Sequence, residues 1–485
     1  MSSLKDRAIK GVFWSLLERF GNQGIQFVIG LILARLLLPE DYGLIGMILV
    51  FISLAQVFVE GGFPSALIRK NDPSSSDYST VFWFNMAVAF LCYIILFFSA
   101  PIIAVFFDEP KLVQLTRIVG LNIIINSISI IQRTILSKDL NFKSQAKINL
   151  SSILLSGGLG VFCAFKGYGV WSLVIQNLSR NIFTSIALWI SSKWRPGFVF
   201  SKNSFKELFG FGSKLLFSSL INAVSENLFS LIIGKLYNAK SLGFYTRANQ
   251  FQKLPVSSIY GSISVVSYPV LSELQNDPVK LKEGYRSMIR LIAFVLFPIM
   301  AILSAVSESM IHVVLTNKWL PSVPILQILC IIGAFYPLHA INLDIIKVKG
   351  RSDLFLKLEI VKQILNISMI IICYRWGIMG LVWGSVVLNF VCYYLNSVFS
   401  KALIDYSFVA QLKDIFLFTV MSLATFVALF GLNLIVTHPY VYFAIAPFIG
   451  LGFYLFLGTL LKVPEINKIK DIIGSLLKKV KPVTI

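Results

Sequence analysis

The chain has 485 residues, of which 56% are hydrophobic and only 14% charged, with a mean hydropathy of +0.79 and a formal net charge of +20. An ordinary soluble domain carries about 25% charged residues, so the composition excludes one and excludes a disordered chain. Five cysteines with no CxxC pair, and three histidines in all, exclude a disulfide framework and leave little material for a metal centre or a catalytic triad.

About fourteen apolar segments, each long enough to cross a bilayer, follow one another at roughly 11–36, 42–64, 80–107, 112–136, 146–165, 168–191, 205–234, 242–270, 285–311, 322–346, 354–374, 378–400, 415–436 and 441–461. Segments this long are helices, since barrel strands need only about ten residues of alternating polarity. The first follows Lys5, Arg7 and Lys10 without a small-residue cleavage site, so it reads as a span and not as a removable signal. The cysteines, Cys92, Cys163, Cys330, Cys373 and Cys392, all fall inside spans and read as small core residues.

Charge sets the orientation. Of the 43 Lys and Arg, the odd-numbered connections hold seven: Arg35, Lys111, Lys166, Lys235, Lys240, Lys318 and Arg375. Five cations lie inside spans, and the other 31 belong to the two ends and the even-numbered connections. This asymmetry predicts cytoplasmic termini. It assigns the net charge to topology and to anionic headgroups, with no nucleic-acid partner implied. Lys468, Lys470, Lys478 and Lys479 interrupt an apolar stripe and predict a tail helix lying on the cytoplasmic leaflet.

An internal repeat divides the chain. Ala34–Gly43 aligns on Gly234–Gly243 at an offset of 200 residues, which also maps Asn22 onto Asn222. Later matches keep their order: Asp139–Lys143 with Asp353–Lys357, and Gly167–Trp171 with Gly377–Trp383. Each half then holds six spans running in the same direction, the parallel arrangement of an alternating-access carrier. The expected fold is an all-α membrane protein of two six-helix parallel repeats. The expected lobes are 1–200 and 201–403, with two further helices and the basic tail over 404–485. The basic stretch Lys193–Lys214 is the expected interlobe linker.

Ionisable residues inside the bilayer are costly and mark pathways. The five cations are Arg19, Arg117, Arg180, Arg247 and Lys253, and the acids inside spans are Glu18, Glu60, Glu226 and Glu308. Ser15, Glu18, Asn22 and Gln26 share one helix face, and Ser218, Asn222, Glu226 and Ser230 share the equivalent face in the second half. The candidate cavity residues are Arg19, Asn22, Glu60, Arg117, Arg180, Asn222, Glu226, Arg247 and Lys253. Pairing, and snorkelling to headgroups for Arg117 and Arg247, is the competing reading. Pro255 removes a helix hydrogen bond and predicts a kink or gate.

At these positions the chain resembles a known family. Leu242-Gly243-Phe244-Tyr245-Thr246-Arg247-Ala248-Asn249-Gln250, then Leu254-Pro255 and Tyr268–Ser272, together with Pro39-Glu40-Asp41-Tyr42-Gly43, are similar to Wzx-type polysaccharide flippases. The subgroup is the WzxC-like exporters of the multidrug/oligosaccharidyl-lipid/polysaccharide (MOP) superfamily. The resemblance implies a MATE-like fold in the bacterial inner membrane. It implies translocation of an undecaprenyl-pyrophosphate-linked oligosaccharide, with a polysaccharide polymerase and other assembly proteins as partners. No cofactor is expected; with no ATP motif, any energy input comes from an ion gradient such as Na+ or H+, from the membrane potential or from downstream consumption of the product.

Two other readings stay open. One is a multidrug or small-cation exporter of the same fold, against which five intramembrane cations set against four acids argue. The other is a membrane enzyme, a glycan polymerase or acyltransferase, for which His339…Asp344 supplies an HxxxxD pattern with no supporting motif.

Overall fold

The computed structural model describes residues 21–349 and 351–468, with the side chains of 262–270, 347, 352, 353 and 356 outside that description. Ser15, Glu18, Arg19 and the tail beyond 468 lie outside the described residues. No strand occurs among the described residues. Among the described residues ten stretches are long and apolar enough to cross a membrane, and the protein is a multi-pass membrane protein. The stretch Lys357–Ile404 contains two of the helices below.

The helices are α1 (described over 21–36), α2 (Pro39–Glu60), α3 (Phe63–Arg69), α4 (Ser75–Phe107), α5 (Leu112–Val119), α6 (Leu121–Lys138), α7 (Phe142–Phe165) and α8 (Val170–Ser191). They continue with α9 (Lys202–Leu236), α10 (Ala239–Glu273), α11 (Pro278–Val314), α12 (Val323–Val348), α13 (Ser352–Cys373), α14 (Gly377–Ile404), α15 (Phe408–Ile435) and α16 (Pro439–Leu460).

Their ends follow local chemistry. Pro39 starts α2, where a missing N–H costs nothing, and the Asp41 carboxylate accepts from the Leu38 backbone N–H at 2.9 Å. Ser74 and Asp77 cap α4 reciprocally. Gly61 and Gly62, at φ 53° and 74°, break the second predicted span into α2 and α3. Gly120 likewise divides the fourth into α5 and α6. The expected linker is shorter than Lys193–Lys214, because α9 already begins at Lys202.

The chain forms two compact units, Met1–Thr246 and Arg247–Ile485, and α10 begins in one and ends in the other. In the first unit α7 packs on α8, α2 on α9, and α6 on both α4 and α8. A hydrophobic core that includes Phe63, Phe82 and Leu208 is flanked by Trp83, Trp189 and Trp194. In the second unit α11 packs against α12, α15 and α16, and α14 against α12 and α13.

The repeat has a physical counterpart in the first unit. A Cβ on Gly43 would lie 1.7 Å from the Ala239 carbonyl oxygen, and one on Gly243 would lie 1.9 Å from the Pro39 carbonyl oxygen. Each glycine touches the repeat-equivalent of the residue that the other touches. Only residues without a Cβ allow these backbones to cross so closely.

Candidate functional site

In the first unit the site grows from three helix faces. On α8, Arg180 sits ten residues into a 22-residue helix, roughly 15 Å from its start. With the Gln26 amide on α1 turned so that its oxygen faces the guanidinium, the orientation that satisfies both groups, that oxygen accepts from Arg180 Nη2 at 2.8 Å, with a second contact from Nη1. Among the described residues no carboxylate pairs with Arg180. Arg133 on α6 adds a second positive charge that acts on Arg180. Asn22 lies one turn before Gln26, and its buried Oδ1 has no hydrogen-bond partner.

The polar face of α6 completes the patch. Asn122, Asn126, Ser129, Gln132 and Arg133 recur every three or four residues, which puts them on one side. Asn181 Nδ2 donates to Asn122 Oδ1 at 2.6 Å, and the Ser185 hydroxyl meets Ser129 Oγ at 3.1 Å. Gln132 is buried with both amide atoms unpartnered, as is Asn85 on α4, which packs against α6. A buried amide without a partner costs about 1–3 kcal/mol, so these groups are placed for water or for a ligand.

The other candidate residues are distributed differently. Glu60 is exposed at the end of α2 and accepts from Gln56 Nε2 at 3.1 Å. Arg117 lies on α5 with its guanidinium 4.3 Å from the Phe97 ring, held by α4 and not by the α6–α8 patch. Asn222 and Glu226 are both exposed on α9. In the second unit Arg247 is buried, 5.6 Å from the Trp319 ring, and Nη1 donates to Gln250 Oε1 at 2.7 Å. Lys253 is exposed on the same helix, and α10 runs unbroken through Pro255.

The second unit also holds features that the sequence reading passed over. An apolar cavity of about 650 Å³ lies between α11, α12, α14 and α15, walled by Phe297, Met300, Phe335, Trp383 and Phe426. Asn342 Oδ1 accepts from Tyr285, Ser400 and Gln411 at 2.5, 2.5 and 3.1 Å. Arg286 grips Asp414 at 2.5 and 2.6 Å, and Arg290 grips Glu465 at 2.7 and 3.0 Å. Burial alone would push the Glu465 carboxyl up. The hydrogen bonds and charge of Arg290 outweigh it and hold the group below its ordinary value.

The model of a family described as polysaccharide biosynthesis protein matches residues 32–324, more than half the chain. The chain belongs to this family. It is 30% identical over 356 residues to the teichuronic acid biosynthesis protein TuaB of Bacillus subtilis (strain 168), covering 73% of this chain and 74% of that one. It is 24% identical to the lipopolysaccharide biosynthesis protein WzxC of Escherichia coli (strain K12), covering 89% of each. In fold it is similar to the lipid II flippase MurJ in an inward closed conformation, with a TM-score of 0.76 at 16% identity over 94% of this chain and 100% of that one. An inward-facing MATE family transporter of the MOP superfamily matches with a TM-score of 0.62 at 14% identity, covering 79% and 94%. The fold of this family member is therefore similar to those of MurJ and of the MATE transporter.

Proposed function

We propose that this protein flips an undecaprenyl-pyrophosphate-linked oligosaccharide from the cytoplasmic to the outer leaflet of a bacterial inner membrane. The observation that carries the reading is Arg180, a mid-span cation held by a neutral amide, with a second cation and an amide-rich helix face beside it. A pyrophosphate is a concentrated anion that hydrocarbon rejects. Arginine offers it a planar pair of donors, which a cation already neutralised by a carboxylate does not. Asn22, Gln132 and Asn85 supply uncommitted amides for sugar hydroxyls. Two relatives are named for teichuronic acid and lipopolysaccharide biosynthesis, and a lipid II flippase shares the fold, which supports a lipid-linked sugar as cargo.

In this reading Arg19, Asn222, Glu226, Arg247 and Lys253 contact substrate at other stages of transport, and both termini are cytoplasmic. Lipid-linked oligosaccharide and membrane lipids are the partners, and a polymerase acts on the product. Deleting the gene should trap lipid-linked oligosaccharide on the cytoplasmic leaflet. Complementation with wild type should clear it, Arg180→Lys should clear it in part, and Arg180→Met should not clear it. Unaltered glycan export in the deletion strain, with sensitivity to small cations in its place, would overturn the reading.

A further inference from the structure

The segment that follows α8 is fastened to the start of α4. Trp83 Nε1 donates to the Gly197 carbonyl oxygen at 2.9 Å, the Gly197 N–H to Ser79 Oγ at 3.1 Å, and the Ser201 N–H to Thr80 Oγ1 at 2.9 Å. The rings of Trp83, Trp189 and Trp194 surround Phe82 at 5.3, 6.5 and 6.0 Å. Phe198, 93% exposed, stacks on Trp83 at 5.2 Å. Three tryptophans and an exposed phenylalanine thus gather at one end of the first unit, beside Lys193, Arg195 and Lys202. Aromatic residues collect in this way where hydrocarbon meets headgroups.

From that level a groove of about 430 Å³ runs into the span between α6 and α8. Ile125 and Ile128 form one wall; Ile182, Ile186 and Ile190, spaced by four and all exposed, form the other. The polar groups between the walls are committed to each other. The Ser185 hydroxyl donates to the Ile125 carbonyl oxygen at 3.1 Å, and Trp189 Nε1 to that of Ile128 at 3.0 Å. What remains for an occupant is hydrocarbon. Ile182 to Ile190 covers roughly 12 Å of helix, close to one leaflet's share of a core about 30 Å thick. That length suits a single acyl chain and is too short for an undecaprenyl chain.

Arg195 stands at the mouth of the groove. Its Nη1 donates to the Ser192 and Trp194 carbonyl oxygens at 2.6 and 2.8 Å, and its Nη2 to that of Trp189 at 3.0 Å. Closing the end of α8 in this way is an ordinary structural task. It leaves the Nε–H and one Nη2–H of the guanidinium without a protein partner. Carbonyl oxygens also leave the charge intact. Among the described residues no carboxylate pairs with Arg195 or with its exposed neighbour Lys193.

We propose that this groove is a resident site for one anionic phospholipid, with an acyl chain along the isoleucines and the phosphate on Arg195. Two free donors of a guanidinium match the oxygens of a phosphate. Lys193 adds the attraction that favours a headgroup of net negative charge over a zwitterionic one. The lipid completes the packing of α6 on α8 and holds the start of the segment that leads to α9.

Trp189 lines the groove, so its fluorescence reads the occupant without any cargo or transport. In nanodiscs of phosphatidylcholine, a small fraction of phospholipid brominated on one acyl chain serves as quencher. The Trp189 share of the signal is the difference between each protein and the same protein carrying Trp189→Phe. At equal mole fraction, brominated phosphatidylglycerol should quench that share several-fold more than brominated phosphatidylcholine. Arg195→Gln should bring the two lipids level, and Arg195→Lys should keep part of the preference. Ile186→Phe, which fills the groove, should weaken quenching by both. Equal quenching by the two lipids in wild type needs no variant to read and would overturn the proposal. So would a preference that survives in Arg195→Gln. Displacement of the brominated lipid by undecaprenyl phosphate but not by unlabelled phosphatidylglycerol would assign the groove to cargo and overturn it as well.

Discussion

Two regions answer their cations differently: the α1–α6–α8 patch of the first unit, and the α11 and α13 cations of the second. Elsewhere, Arg247 in the second unit is met by the Gln250 amide and Lys70 in the first by Asp77 and Glu207. On α11 and α13, Arg286 is answered by Asp414, Arg290 by Glu465 and Lys362 by Glu359. In the patch, Arg180 is answered by the amide of Gln26, with further amides and Arg133 around it. A paired cation holds helices together and has little attraction left for a ligand. An amide-held cation keeps its charge for something that arrives. The difference separates a region whose cations are answered by carboxylates from one whose mid-span cation is answered by an amide.

The largest expected effect is on the pairing side. Arg290→Met leaves Glu465 buried and uncompensated, which costs about 3–5 kcal/mol. It should lower the unfolding temperature in detergent by several degrees. The double variant Arg290→Met with Glu465→Leu should recover most of that loss, since an apolar pair of similar volume is nearly neutral. If the single variant is as stable as wild type, the pair does not hold the segment after α16 to α11.

The same pair predicts a pH dependence. The folded Glu465 carboxyl is held below its unfolded value, so its contribution is fully present above about pH 4.3 and is lost as pH falls through the depressed folded value. Thermal stability should decline on acidification below about pH 4, and less steeply in the double variant. Identical acid profiles in the two proteins would contradict the assignment.

The spans and the charges within them could be read before the fold was known, but not this contrast. The spans were legible because their apolar length is dictated by the bilayer, and Arg180 and Arg247 stood out as charges within them. The amide stripe of α6 is present in the sequence too, at Asn122, Asn126, Ser129 and Gln132, but neutral polar groups in a span carry a weaker signal than charges do. What spacing could not show was pairing. Trp319 under Arg247, Phe97 under Arg117 and Glu465 beside Arg290 are brought together only by packing. The breaks at Gly61–Gly62 and Gly120 were hidden for another reason: glycine is common inside membrane helices, so its presence there does not by itself mark an end.

A smaller effect probes the receiving side. Gln26→Leu removes the amide that orients Arg180 and leaves the charge in place. A hydrogen bond to a charged group is worth about 1.5–3 kcal/mol, and part of it is regained when substrate takes over the guanidinium. Export should fall by less than about ten-fold, with protein levels unchanged. Complete loss would mean that Gln26, and not Arg180, makes the decisive contact.

The most direct test is the binding of undecaprenyl pyrophosphate, without glycan, to purified protein in nanodiscs. Wild type should bind it, and Arg180→Met should bind about 10–100-fold more weakly, the loss expected for charge-assisted contacts of about 1.5–3 kcal/mol. Arg286→Met, a paired cation on the other unit, should bind as wild type does. Equal affinity in wild type and Arg180→Met, or an equal loss in both variants, would contradict the assignment of the headgroup to the first unit's amide-held cation.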